Sequence, residues 1–446
     1  MLTEEENNLL CRVEGDAPMG QIMRRHWMPA CLSEELPEPD GAPVAVRLLG
    51  EDLVAWRGTD GRVGLTDRHC AHRRASLVLA RNEENSLRCL YHGWKFNIDG
   101  RIVEMPSEPT QSALAQKLKI TAYSTHECGG IVWAYLGPRE TMPAFEPPAF
   151  VPVPDTKVSI VKIQVDCNWA QVLEGNIDSA HSSSLHSSNI LPAVVDGTLY
   201  NGMTNFRPTT DKAPRILVQS TDYGFKYAAI RRPIKNADTL DYVRMTLFVA
   251  PFTALVPPNT QYSPANVNVP VDDTHTMFYF IVWADWPGGG IDQEAYRKRS
   301  YAQVGIHLDR HYRKAGNAEN NYLQDRQAMK NGDFTGLRGV PNQDIPMWET
   351  MGPIADRTRE VLGASDIAVG EFRRVMVDAA RRFQAGEPAI GTREWARQRG
   401  VAYVRQTELR SFEGMLQKGA QWRELDKTAA QLARNSAIAV PLETEN

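Results

Sequence analysis

Four residues of metal-binding type fall in one short stretch: Cys70-Ala71-His72, sixteen further residues, then Cys89-Leu90-Tyr91-His92. Two thiolates and two imidazoles suit either a zinc ion or a [2Fe–2S] cluster in which histidines hold one of the irons. Zinc sites typically take paired cysteines from one loop and paired histidines from another. Here each loop offers one of each, so each can give its cysteine to one iron and its histidine to the other. A zinc staple is the alternative. The remaining cysteines, Cys11, Cys31, Cys128 and Cys167, stand alone and read as small buried hydrophobes.

A second constellation lies between Asn168 and His186. Asn168 to His181 reads as a helix, on which Glu174, Asp178 and His181 share a face at i, i+4 and i+7. His186 is about 140° further round an ideal helix, so both histidines can share a metal only if the helix breaks. The run Ser182-Ser183-Ser184 permits that break. Two histidines and one carboxylate with open positions form the facial triad of non-haem Fe(II) chemistry. Asp178, three residues before His181, is placed to orient its ring from outside the ligand set.

These residues need elements to hold them. From about 43 to 137, short runs of Val, Leu, Ile and aromatics alternate with Asp-Gly and Gly-Gly turns, the pattern of a small antiparallel β domain. A helix over Gly20–Met28, ended by Pro29, precedes it. The proline-rich stretch from Pro138 to Pro154 reads as a linker, which divides the chain into a domain at 1–150 and a larger one at 151–446. In the larger domain strands are expected at Lys157–Val165, 214–219, 224–231, 241–256 and 274–283. A helix capped by Ser365 is expected to run to Phe383. The expected class is α+β: an all-β small domain and an antiparallel sheet covered by helices.

Composition limits the function. The chain has 446 residues, a formal net charge of −4 and 23% charged residues, which argues against a nucleic-acid surface and against disorder. No apolar run approaches the length of a membrane span, and the acidic start Met1-Leu2-Thr3-Glu4-Glu5-Glu6 is unlike a secretory signal, so a cytoplasmic location is expected. Neither glycine-rich dinucleotide nor P-loop motif occurs, so electrons for iron chemistry must come from another protein.

The pattern C-x-H-x16-C-x2-H, followed by Gly93-Trp94, closely resembles the Rieske [2Fe–2S] domain. No extra cysteine lies near either loop, which points to the oxygenase branch rather than the cytochrome-complex branch. Asn168, Glu174, Asp178, His181 and His186 are similar to the iron-binding helix of Rieske ring-hydroxylating oxygenases. That resemblance implies a third Fe(II) ligand late in the chain, carried here to Asp344 in Asn342-Gln343-Asp344-Ile345-Pro346, with Asp333, Glu349 and Asp356 as competitors. It also implies O2 as co-substrate, a flavin and iron–sulfur reductase using NADH or NADPH, and a ring-shaped trimer or dimer of trimers. In that assembly Asp178 links His92 of one subunit to His181 of the next.

Trp348-Glu349-Thr350-Met351-Gly352-Pro353-Ile354 resembles the group of these oxygenases that acts on phthalate and phenoxybenzoate, which also holds monooxygenases and demethylases. The leading expectation is cis-dihydroxylation of an aromatic carboxylate such as phthalate. The alternatives are a Rieske monooxygenase or O-demethylase, a phenoxybenzoate-type dioxygenase, and a non-catalytic electron-transfer or zinc-stapled binding protein. Arg207 and Arg244 interrupt apolar segments and are the candidate carboxylate-binding residues, against solvent exposure or pairing with Asp211 or Asp241.

Overall fold

The computed structural model describes residues 1–109, 113–192, 205–259, 261–419 and 422–424. The chain divides into two compact units, Val13–Phe145 and Met1–Arg12 with Glu146–Asn446. The boundary at 145/146 falls inside the proline-rich stretch. Residues 1–12 belong to the larger unit rather than to the domain assigned above to 1–150. The reason is packing: helix Glu4–Cys11 buries Leu10 and Cys11, and Asn7 accepts from Arg357 at 3.0 Å.

The smaller unit is all β at its centre. Six antiparallel strands run in the order Trp27–Leu32, Ile131–Tyr135, Ala122–Cys128, Val63–Asp67, Glu51–Arg57, Val44–Leu48. A four-stranded sheet of Arg81–Glu83, Ser86–Arg88, Lys95–Asn97 and Ile102–Glu104 carries the second cysteine–histidine loop between its middle strands. The expected helix over Gly20–Met28 is shorter, Pro18–Met23, and Pro29 lies within the strand Trp27–Leu32 instead of ending a helix. That strand is an edge, and its register shifts between Pro29 and Cys31, where a residue without an N–H is tolerated.

The larger unit has the expected α+β layout. Its antiparallel sheet runs Lys157–Val165, Thr276–Ala284, Ser263–Pro270, Thr253–Leu255, Leu240–Val249, Gly224–Arg231, Arg215–Ser220, and Phe412–Gln417 also pairs with Leu240–Val249. The expected strand at 241–256 is two strands, separated at Ala250-Pro251 where the ladder donor is lost. The helix expected to be capped by Ser365 is Ile367–Gln384, and its N-cap is Asp366 rather than Ser365.

Two further helices matter for function, Trp169–Ile177 and Val340–Glu349. Val172 from the first and Ile345 and Trp348 from the second share one core with Val161, Ile163, Val165 and Phe278 of the sheet. Burial of such side chains contributes about 1.5–3 kcal/mol each, which fixes both helices on the sheet. Gly175 lets them meet: a Cβ there would lie 2.0 Å from the Trp348 indole nitrogen. Gln171 completes the junction. Its amide donates to the Trp348 and Gly352 carbonyls at 3.0 and 2.9 Å, satisfying acceptors at the end of the second helix.

Candidate metal centres

In the smaller unit the two cysteine–histidine loops have the same backbone design. Cys70 N–H donates to Ala75 O at 2.9 Å and Arg74 N–H returns to Cys70 O at 3.0 Å. Cys89 N–H donates to Trp94 O at 2.8 Å and Gly93 N–H returns to Cys89 O at 3.0 Å. The fifth residue of each loop is left-handed, Arg74 at φ 60° and Gly93 at φ 75°. At Gly93 a side chain would also meet Pro106, 2.6 Å from an added Cβ. Two matching loops present their ligands as pairs: the cysteines are neighbours, and the His72 and His92 rings lie 4.4 Å apart. Trp94 stacks on His72 at 4.7 Å and 7°, held by its N–H to Ser107 at 3.0 Å.

The donor set fits a two-iron cluster with cysteines on one iron and histidines on the other. Among the described residues His72 Nδ1 is buried without a hydrogen-bond partner, as suits a metal-ligating atom. Burial pushes the Cys70 thiol up to about 11. Burial and the neighbouring His72 and Arg73 push His92 below the ordinary histidine range, leaving a neutral imidazole at neutral pH.

In the larger unit the expected helix to His181 ends early. Helix Trp169–Ile177 stops at Asp178, its C-cap, and His181–Ser183 forms a separate 3-10 turn. Glu174 therefore does not share a face with the metal site. It is buried, and accepts from Arg357 at 2.8 Å and from Arg373 at 2.8 and 3.1 Å. Tyr227 bonds the last helical carbonyl, Ile177, and Arg231 donates to the Ser179 carbonyl at 2.7 Å and hydroxyl at 3.2 Å. These contacts hold the segment from Asp178 to His181 in place.

That turn brings His181, His186 and Asp344 together. His181 Nε2 and His186 Nε2 are 3.2 Å apart, and Asp344 Oδ1 lies 3.5 and 3.2 Å from them. Ligands at right angles, each about 2.1 Å from one ion, would be separated by about 3 Å, so the triangle fits a single metal on one face. His186 Nδ1 is 2.7 Å from Gln343 Oε1, and His181 Nδ1 is 3.4 Å from Asp178 Oδ2. Burial lowers the affinity of His186 for a proton, but the Asp344 charge outweighs it and the net shift is upward.

The competing acids lie elsewhere. Glu349 pairs with Lys314 at 2.8 Å, Asp333 accepts from the backbone of Thr335 and Gly336, and Asp356 accepts from Thr358.

Both candidate arginines are buried. Arg244 pairs with Glu413 at 2.7 Å across adjacent strands, not with Asp241 or Asp211. Arg207 donates to the Ser182 hydroxyl at 2.8 Å, beside the turn that carries the histidines. Burial, reinforced by Arg244, pushes Arg207 down to about 9, still charged at neutral pH. Sequence reading missed Gln343, Arg231, Tyr227 and Glu413. A glutamine beside the carried-over aspartate was the one available signal for Gln343; the other three depend on strand register.

Comparison with known proteins agrees with this architecture. The Rieske [2Fe-2S] domain model matches residues 26–122, and the LigXa C-terminal domain like model matches 134–445. The phthalate 4,5-dioxygenase oxygenase subunit of Pseudomonas putida is 59% identical over 424 residues, 95% of this chain and 94% of that one. The 3-chlorobenzoate-3,4-dioxygenase oxygenase subunit of Comamonas testosteroni is 35% identical over 406 residues, 86% and 90% of the two chains. In solved structures, the terminal oxygenase of carbazole 1,9a-dioxygenase from Novosphingobium sp. KA1 shares the fold with a TM-score of 0.56 at 21% identity, covering 87% of this chain and 99% of that one. The chain belongs to the Rieske non-haem iron oxygenases. It is the oxygenase component of a multicomponent enzyme, with a Rieske cluster and a mononuclear iron as cofactors, O2 as co-substrate and electrons drawn from a reductase. That membership removes the zinc-stapled alternative. Among the described residues, no helix is long and apolar enough to cross a membrane.

Proposed function

We propose that this oxygenase cis-dihydroxylates an aromatic dicarboxylate, with phthalate as the substrate. The observation that carries the reading is the charge of the site. Arg207, Arg231 and Arg244 are buried side by side, and among the described residues Glu413 is the one carboxylate paired with any of them. A surplus of buried guanidinium charge is costly when unpaired and favours an anion that replaces lost hydration. Identity to the Pseudomonas putida subunit supports the same substrate.

In this reading Cys70, His72, Cys89 and His92 hold the cluster in a domain spanning about 13–145, and His181, His186 and Asp344 hold the Fe(II). When bound, the cluster supplies single electrons and the mononuclear iron supplies O2 activation. Arg207 binds one carboxylate of the substrate, and the Arg244 donors not used by Glu413 bind the other, which orients the ring. Asp178 keeps the proton of His181 on Nδ1, so that Nε2 faces the metal. In a trimer, Asp178 would also meet His92 of the adjacent subunit. Sedimentation of active enzyme as a monomer would exclude that bridge.

The experiment is turnover with purified reductase and a panel of benzoate, phthalate and 4-methoxybenzoate, with products identified. A dihydrodiol from phthalate at the highest rate supports the proposal. Demethylation of the methoxy compound with no product from phthalate would move the enzyme to the O-demethylase alternative.

A further inference from the structure

We propose that Gln343 is a positioning residue for the mononuclear iron, which holds His186 in the tautomer that offers Nε2 to the metal. The inference rests on the reading of His181, His186 and Asp344 as the iron ligands, and goes beyond it.

Donors and acceptors around Gln343 fix its orientation. Gln343 is 1% exposed, and its amide nitrogen lies 3.0 Å from the Leu337 carbonyl and 2.8 Å from Asn189 Oδ1. The Leu337 carbonyl can only accept, so the amide N–H2 must face it and the amide oxygen must face the other way. That oxygen lies 2.7 Å from His186 Nδ1. An amide oxygen accepts, so Nδ1 carries the proton and in the neutral ring Nε2 keeps a free lone pair. The lone pair points to where Asp344 Oδ1 and His181 Nε2 also converge.

Place in the chain makes the device economical. Gln343 and Asp344 are adjacent on helix Val340–Glu349, so one helix supplies a ligand and also sets the ring of a second ligand. Asn189 lies in the turn just after His186, where its N–H bonds the His186 carbonyl at 2.8 Å. Gln343 thus joins that turn to the helix as well as to the ring. The two histidines are held unequally: His181 by the Asp178 carboxylate at 3.4 Å, His186 by a neutral amide at 2.7 Å. On its Nδ1 side His186 has a neutral amide where His181 has a carboxylate, so it depends on a close, correctly oriented acceptor.

The test is Co(II) binding by equilibrium dialysis to oxygenase stripped of mononuclear metal, with the Rieske absorption retained. Gln343→Leu removes the acceptor and should weaken Co(II) binding about 10- to 100-fold. Gln343→Glu, whose carboxylic acid form donates to the Leu337 carbonyl while its other oxygen accepts from Nδ1, should recover most of that loss, and the EPR spectrum of bound Co(II) should return toward the parent's. Parent-like affinity in Gln343→Leu overturns the proposal. Equal loss in the Leu and Glu variants overturns it too, because a role in packing alone would not separate them. Should Gln343→Leu not fold, Gln343→Asn, which draws the acceptor back by one methylene, replaces it with the same expectation. His181→Ala in the same assay separates the two readings. Retained affinity there overturns the ligand triad itself, whereas loss there with retention in Gln343→Leu overturns the role of Gln343 alone.

Discussion

Arg207 should weaken the empty enzyme and strengthen the occupied one, and the two effects can be measured separately. The residue is 8% exposed and, among the described residues, its guanidinium is paired with the Ser182 hydroxyl rather than with a carboxylate. Burial, with Arg244 alongside, moves its pKa down to about 9. That corresponds to at most about 5 kcal/mol against the charged form in the folded state. A base whose folded pKa is depressed but still above neutral carries this penalty in full at pH 7. Arg207→Met should therefore raise the melting temperature of the substrate-free enzyme by several degrees. It should also weaken phthalate, because losing a fork on a buried carboxylate costs on the order of 2–5 kcal/mol, about 30-fold to several thousand-fold in Kd. Arg244→Met, by contrast, strands Glu413 without its 2.7 Å partner and should destabilise the protein while also weakening phthalate. The assays are thermal denaturation without ligand and equilibrium titration with phthalate, iron content being checked in each variant. A phthalate Kd unchanged in Arg207→Met, or a melting temperature that falls, would refute the reasoning.

Three further outcomes follow from the same geometry. His72→Cys should retain some cluster but lower its reduction potential by roughly 100 mV or more in protein-film voltammetry, because a thiolate donates more charge than an imidazole; an unchanged potential would remove His72 from the ligand set. Asp178→Asn should keep both metals by elemental analysis and yet slow turnover strongly, and full activity would dismiss Asp178 as a positioning group. Burial alone would raise the Glu174 pKa, but Arg357 and Arg373 hold it below the ordinary range, so its stabilisation is fully present above about pH 5 and is lost as pH falls through its folded pKa. Glu174→Gln should lower the melting temperature at pH 7 and flatten its acid dependence, whereas a parallel acid limb would contradict the ion-pair assignment.

The proposed metal ligands were legible because ligation demands few residue types at short spacings, and both loops and the His181–His186 turn carry those spacings locally. The Asp344 assignment needed resemblance, since nothing local distinguishes it from Glu349, which the fold commits to Lys314. Register made the other difference. Glu413 faces Arg244 only because Phe412–Gln417 pairs with Leu240–Val249, and no periodicity marks that late strand as a partner of one so distant. The early end of helix Trp169–Ile177 was likewise hidden: Tyr227 and Arg231, which hold its exit, come from one strand, Gly224–Arg231. Gly175 reads in sequence as a weak helix position, and its reason, the indole of Trp348, lies far along the chain.

The most direct test of the account is a single turnover experiment under 18O2, with the purified oxygenase, its reductase and phthalate. The expected product is a cis-dihydrodiol of phthalate that carries both labelled oxygen atoms, formed by the parent and not by His181→Ala. A product with one labelled oxygen, or oxygen uptake without any change in phthalate, would contradict it.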